Sequence, residues 1–219
     1  MLKKLLVATA CAGAALLLGS CQKGALESDN PAFAAIDGDY LKTGGDGSNW
    51  AMTGFNYDEQ RHSPLTQIND GNVKDLGIAW FADLPDARGQ EATPVVVDGK
   101  MFVSTAWSKV FSYDAKTGKP LWSFDPKVDK ARGVKACCDV VNRGIAMYKG
   151  NIFAGTLDGR LVSIKASTGK LNWAVQTVDT ARAYTITGAP RVYDGKVIIG
   201  NSGADLGVRG YVTAYDAED

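Results

Sequence analysis

The chain has 219 residues, with 24 Lys and Arg against 24 Asp and Glu and a formal net charge of zero. That length suffices for one domain with a real core. The even mixing of charge excludes the basic stripe of a nucleic-acid binder and the polybasic face of a membrane-surface protein.

In chain order, residues 1–20 read as a lipoprotein signal peptide. Lys3 and Lys4 precede an apolar run from Leu5 to Leu18 that is short for a membrane span. The run ends in Leu18-Gly19-Ser20-Cys21, a lipobox pattern in which Cys21 becomes the lipidated first residue. An ordinary secretory signal with a chance cysteine is the alternative. The expected location is the periplasm, on a lipid anchor in the membrane, with Gln22 leaning toward outer-membrane sorting. Residues 21–45 are polar and rich in glycine, and read as a tether and lead-in loop. Cys11 leaves with the signal, so Cys137 and Cys138 are the cysteines that remain besides Cys21. In an oxidising compartment they pair with each other or with another molecule, or they persist as reduced, buried thiols.

From about Asn72 onward, short apolar runs alternate with turn signals, an all-β pattern. Tyr113-Asp114-Ala115 leads into Lys116-Thr117-Gly118-Lys119 and Trp122. Ile164-Lys165-Ala166 leads into Ser167-Thr168-Gly169-Lys170 and Trp173, and Tyr215-Asp216-Ala217 opens a third copy. The copies are 51 residues apart. Upstream in each, Asp98-Gly99, Lys149-Gly150 and Asp194-Gly195 sit between apolar runs, as the positive-φ pairs of tight hairpins do. Each unit thus holds about four short antiparallel strands. The expectation is a β-propeller of four-stranded antiparallel blades, with residues 46–219 supplying about three of them. Trp122 and Trp173 are expected to pack between blades, each giving its indole N–H to a backbone carbonyl.

The third unit departs from the other two. Fourteen residues separate Gly99 from Tyr113 and Gly150 from Ile164, but twenty separate Gly195 from Tyr215. The extra residues lie within Asn201–Tyr211, a loop insertion that carries function or is merely a longer turn. The chain stops at Asp219 inside a repeat, which reads as the amino-terminal portion of a longer protein.

Several stretches carry a family resemblance. They are Arg61–Ile68, Glu91–Pro94, Cys137–Gly144 (Cys-Cys-Asp-Val-Val-Asn-Arg-Gly), Thr187–Pro190, Gly200–Asp216 and the Ala-Lys-Thr-Gly-Lys-x-x-Trp repeat. From Trp50 to Asp219 the chain resembles the quinoprotein and quinohaemoprotein alcohol dehydrogenases, which use pyrroloquinoline quinone (PQQ). The resemblance implies an eight-bladed propeller and an oxidoreductase that turns alcohols into aldehydes. It also implies a disulfide between Cys137 and Cys138 covering one face of the quinone. Neighbouring Cα atoms are about 3.8 Å apart, below the usual disulfide range of about 4.4 Å upward, so such a ring is strained. Arg143 is implied as a carboxylate-binding residue that needs an anionic partner. Glu91, Thr187 and Ser202, with the backbones of Gly203 and Ala204, are implied as cofactor-binding. Asp205 is implied as a Ca²⁺ ligand where the family usually has Glu. Being one methylene shorter, it predicts weaker metal binding.

The resemblance places the catalytic base in later blades, so none is nominated here, and this stretch alone is expected to be inactive. Haem c is expected only in a carboxyl-terminal domain outside this sequence. The implied partners are an alcohol substrate and a periplasmic electron acceptor such as a cytochrome c or a quinone. His62, the sole histidine, suits a surface or capping role. Two other readings stand beside this one: a non-catalytic propeller lipoprotein scaffold of the cell envelope, and a related quinoprotein acting on sugars or aldehydes.

Overall fold

The computed structural model describes residues 30–219; the signal segment and Cys21 lie outside the described residues. Two short helices come first, α1 (Pro31–Ala34) and α2 (Gly38–Thr43). Asn30 caps α1 by accepting the Ala32 N–H at 2.9 Å, and Asp37 caps α2 by accepting the Tyr40 N–H at 2.9 Å. Gly44, at φ 77°, ends α2. The expected lead-in loop is therefore partly helical. Phe33, Ile36 and Leu41 are buried. The Phe33 and Ile36 carbonyls accept the Gly150 and Lys149 N–H groups, which ties the lead-in to a hairpin turn.

Eleven strands follow in three antiparallel meanders. The first sheet is β1 (Val95–Val97), β2 (Lys100–Ser104), β3 (Val110–Asp114) and β4 (Pro120–Phe124), paired in chain order. The second is β5 (Ala146–Tyr148), β6 (Asn151–Gly155), β7 (Arg160–Lys165) and β8 (Leu171–Gln176). The third, β9 (Arg191–Tyr193), β10 (Lys196–Gly200) and β11 (Val212–Asp216), has three strands among the described residues rather than the expected four.

The turn chemistry read from the sequence is present. Asp98 and Gly99 have φ of 50° and 65°, Lys149 and Gly150 of 43° and 81°, and Asp194 and Gly195 of 48° and 70°. Both central residues are left-handed in each hairpin, the twist that matches the flanking strands.

The sheets stack face to face, so the second is covered on both sides and β6 is buried along its whole length. Phe102, Phe153, Ile152, Leu161, Ile164 and Val197 share one core that runs through all three sheets. Each such side chain contributes roughly 1.5–3 kcal/mol by leaving water. The outer strands β4 and β8 alternate exposed and half-buried residues.

Between sheets the tryptophans dock on the next turn. Trp122 donates its indole N–H to Ala166 O at 3.0 Å, and a Cβ on Gly169 (φ 72°) would lie 2.6 Å from the Trp122 ring. Glycine is required there for both conformation and clearance. Trp80 repeats this arrangement on the preceding turn, bonding Ala115 O at 3.0 Å over Gly118. Its role is not evident from the repeat, because no matching turn precedes it. Trp173 departs from the expectation. It packs on Phe153 with ring centroids 5.8 Å apart, but its buried N–H has no hydrogen-bond partner among the described residues.

Candidate cofactor site

The meander order decides where the site lies. The hairpins at residues 98–99, 149–150 and 194–195 and the turns at 115–119 and 166–170 fall at one end of the sheets. The β2–β3, β6–β7 and β10–β11 connections, and the links between sheets, therefore fall at the other end. Every site residue expected from the sequence sits at that second end. Glu91 precedes β1. Cys137, Cys138 and Arg143 lie between β4 and β5, and Thr187 between β8 and β9. Ser202 to Asp205 lie between β10 and β11.

Arg143 is the centre of the array. Its Nη2 pairs with Glu91 Oε2 at 2.9 Å, and its Nη1 donates to Thr187 Oγ1 at 2.6 Å. Its backbone N–H bonds Thr187 O at 2.9 Å. The carboxylate partner expected for Arg143 is thus Glu91. The guanidinium is not buried, however; its side chain is 41% exposed and opens onto a cleft.

The residues on either side of Arg143 explain its placement. Asn142 is buried, donates to Gly155 O at 2.8 Å and accepts the Gly144 N–H at 3.0 Å. Gly144 has φ 141° and faces Ala189. Asn142 and Gly144 thus pin the backbone so that the arginine points outward.

The cleft has a volume of about 240 Å³ and is lined by Arg143, Thr187, Gly188, Asn201 and Ser202, among others. Ser202 donates to Thr185 O at 3.1 Å, and its Oγ lies 2.9 Å from the hydroxyl of buried Thr185. Gly203 follows at φ 121°, where a Cβ would strike Ala183 O at 2.2 Å. The carbonyls of Gly203 and Ala204 close a single helical turn, Ala204–Leu206. Their N–H groups are what they can offer a ligand. The sequence insertion lies in the β10–β11 connection, which contains this turn.

Asp205 stands exposed on that turn. Among the described residues, no group of three or more His, Cys, Asp or Glu side chains is placed to hold a metal. Asp205 is therefore not joined there by two further acidic, His or Cys side chains.

Cys137 and Cys138 are joined as a disulfide with Cα atoms 3.8 Å apart, and both are exposed. Of the alternatives left open by the sequence, the neighbours bond to each other. Asp139 follows at φ 68°. It is paired with Arg88, whose Nε lies 3.2 Å from Oδ2, and it accepts the Gly89 N–H at 3.0 Å. These donors, Arg88 foremost, hold the Asp139 carboxyl down to a pKa of about 2. Nearby, Trp107, at φ 62°, donates its backbone N–H to Val140 O at 2.9 Å, with Lys130 Nζ 3.7 Å from its ring centroid. Arg88 and Trp107 are absent from the sequence-derived site. Their signal is the left-handed backbone of Asp139 and Trp107, which composition does not reveal.

His62 lies with Phe55, Asn56, Gln60 and Pro64 around a separate surface hollow, away from this array.

The Arg143 cleft, with the hydroxyls of Thr187 and Ser202, and the disulfide of adjacent cysteines thus lie at the same end of the propeller blades. Residues 50–219 match the family model described as the PQQ glucose/ethanol/alcohol dehydrogenase β-propeller domain. The chain belongs to that family. It is 49% identical over 211 residues to a quinohemoprotein alcohol dehydrogenase of Comamonas testosteroni, covering 95% of this chain and 30% of that protein. It is 54% identical over 171 residues to the 1-butanol dehydrogenase (cytochrome c) of Thauera butanivorans, covering 78% of this chain and 25% of that one. The solved quinohemoprotein alcohol dehydrogenase ADHIIG of Pseudomonas putida superposes with a TM-score of 0.82 at 54% identity, over 84% of this chain and 27% of that one. The chain thus spans less than a third of the length of these relatives.

Proposed function

We infer that this chain is the amino-terminal part of a periplasmic, PQQ- and Ca²⁺-dependent alcohol dehydrogenase that oxidises alcohols to aldehydes. The observation that carries the reading is the disulfide of adjacent cysteines on the same connection as Arg143, which Glu91 and Thr187 hold in place.

The donor set fits PQQ, a flat molecule with three carboxylates and two neighbouring carbonyls. Arg143 offers a planar, permanently charged fork to a carboxylate. Thr187 and Glu91 fix the orientation of that fork. Ser202 and the N–H groups of Gly203 and Ala204 supply neutral donors along the rim. The disulfide presents an apolar surface that keeps water off one face. When bound, PQQ would supply a hydride acceptor and Ca²⁺ would supply Lewis-acid polarisation. Asp205 would offer one carboxylate oxygen to that ion, and the remaining ligands and the base would come from outside this stretch. None of the residues of this chain is assigned as the base.

The names of the relatives favour an alcohol as substrate and a cytochrome c as acceptor, with haem c confined to a later domain. Cys21 anchors the protein by lipid to the membrane.

The test uses the full-length protein, loaded with PQQ and Ca²⁺ and assayed for butanol-dependent dye reduction. Dye reduction with bound-quinone absorbance supports the reading. Failure of the oxidised, folded protein to retain PQQ overturns it. The 219-residue chain alone is expected to be inactive.

A further inference from the structure

Two segments beside the disulfide are cross-linked twice, in opposite charge order. Arg88 and Glu91 stand on the segment before β1, and Asp139 and Arg143 on the link between β4 and β5. Glu91 meets Arg143, and Arg88 meets Asp139. The first segment is itself anchored to its sheet by Asp86, which pairs with Lys109 at 2.7 Å in a partly buried contact. The segments also touch closely, since a Cβ on Gly89 would come within 2.9 Å of Val141 Cγ1.

The two rungs differ in what they can do. The Glu91–Arg143 rung is made of two groups already assigned to the cofactor site. The Arg88–Asp139 rung uses neither. Asp139 accepts from Arg88 twice and from the Gly89 N–H, a fixed charge-assisted set. It holds a non-glycine residue in a left-handed conformation directly after Cys138, which costs free energy unless the surroundings impose it. One residue on, Val140 O is held by the Trp107 N–H at 2.9 Å, with the Arg88 guanidinium 6.0 Å from the Trp107 ring centroid.

We propose that Arg88 and Asp139 form a positioning pair that holds the Cys137–Cys138 ring in one orientation before any cofactor arrives. This rests on the reading that the ring covers the quinone. A roof ordered in advance spares the ligand the cost of ordering it, so the pair acts on affinity through the ring without touching the cofactor.

The test uses the full-length protein and three variants: Arg88→Ala, Asp139→Asn, and the exchange Arg88→Asp with Asp139→Arg. Two quantities are read: the Kd for PQQ by titration, and the equilibrium reduction of the disulfide in the cofactor-free protein by graded dithiothreitol. Each single variant is expected to raise the Kd about tenfold, the loss of one good charge-assisted pair. Each is also expected to reduce at lower dithiothreitol, because the pair's geometry is that of the closed ring. The exchange recovers part of both, since the Gly89 contact is not restored. Lys149→Ala, which removes the distant Lys149–Glu218 pair, leaves both unchanged. Wild-type values for both single variants would overturn the proposal. So would a raised Kd with an unchanged disulfide equilibrium, because the pair would then act on the cofactor directly. If the wild type binds no PQQ, the functional reading fails, while the dithiothreitol equilibrium still decides the role of the pair.

Discussion

Arg143 donates from Nη1 to the hydroxyl of Thr187 at 2.6 Å, joining two neighbouring inter-sheet links across 44 residues of sequence. The bond takes one arm of the guanidinium and turns the other toward Glu91. Its removal tests how far the arginine is preset. Thr187→Val keeps the shape and removes the acceptor. PQQ affinity of the full-length protein should fall several-fold, and stability by about 0.5–1.5 kcal/mol. Arg143→Lys should cost more, about tenfold or beyond in affinity, because an ammonium cannot bind a carboxylate as a fork. Equilibrium dialysis of PQQ against both variants measures the order.

Two glycines with almost the same dihedral separate backbone cost from steric cost. Gly99 has φ 65° with nothing within 4 Å of an added Cβ, and Gly169 has φ 72° beneath the Trp122 ring. Gly99→Ala should cost roughly 1–2 kcal/mol, the left-handed penalty alone. Gly169→Ala should cost distinctly more, since Trp122 must also move. Urea unfolding of the two variants side by side gives the difference.

The indole donor of Trp122 can be removed with most of the ring kept. Trp122→Phe leaves Ala166 O without its partner at 3.0 Å. A loss of about 1–3 kcal/mol is expected, the cost of an orphaned buried carbonyl. The same change at Trp173 removes a donor that is already unpaired among the described residues. It should be milder in this chain, and thermal melts of the two variants test this.

Asp139 sets an acid boundary. Its carboxyl is held at about 2, below the ordinary 3.8, chiefly by Arg88. A depressed folded-state pKa stabilises above the unfolded value, and that contribution disappears as pH falls from about 4 toward 2. Carboxyl-carbon NMR titration should show the low midpoint. Arg88→Ala should move it back toward 3.8. An unmoved midpoint would show that the Gly89 and Val140 amides hold the charge alone.

Lengthening Asp205 by one methylene addresses the metal. Asp205→Glu in the full-length protein should tighten Ca²⁺ retention, and Asp205→Ala should weaken it. Both follow from the reach of a carboxylate on an exposed turn. Stripping Ca²⁺ with a chelator and titrating it back, with PQQ retention as the signal, ranks the three.

Much of the fold was legible because its signals are local. Asp98-Gly99 or Thr117-Gly118 dictates a turn within four residues, whatever lies elsewhere, since only certain residues tolerate positive φ at low cost. The 51-residue spacing and the longer third unit were legible for the same reason, and the insertion falls in the β10–β11 connection. The family resemblance supplied Glu91, Arg143 and Thr187, and the structure brings these three together. The lead-in helices were hidden because they are only four and six residues long, too short to show a helical period. The burial of Phe33, Ile36 and Leu41 depends on a hairpin over a hundred residues away.

By itself, then, the sequence determined the turns, the alternating strands and the adjacency of Cys137 and Cys138, all properties of neighbours along the chain. Tertiary structure alone decided that Arg88 meets Asp139 and that Trp80 docks over Gly118. Such contacts depend on how the sheets stack and on which connections share an end. Residues some fifty positions apart become partners only after antiparallel pairing has fixed the direction of every strand.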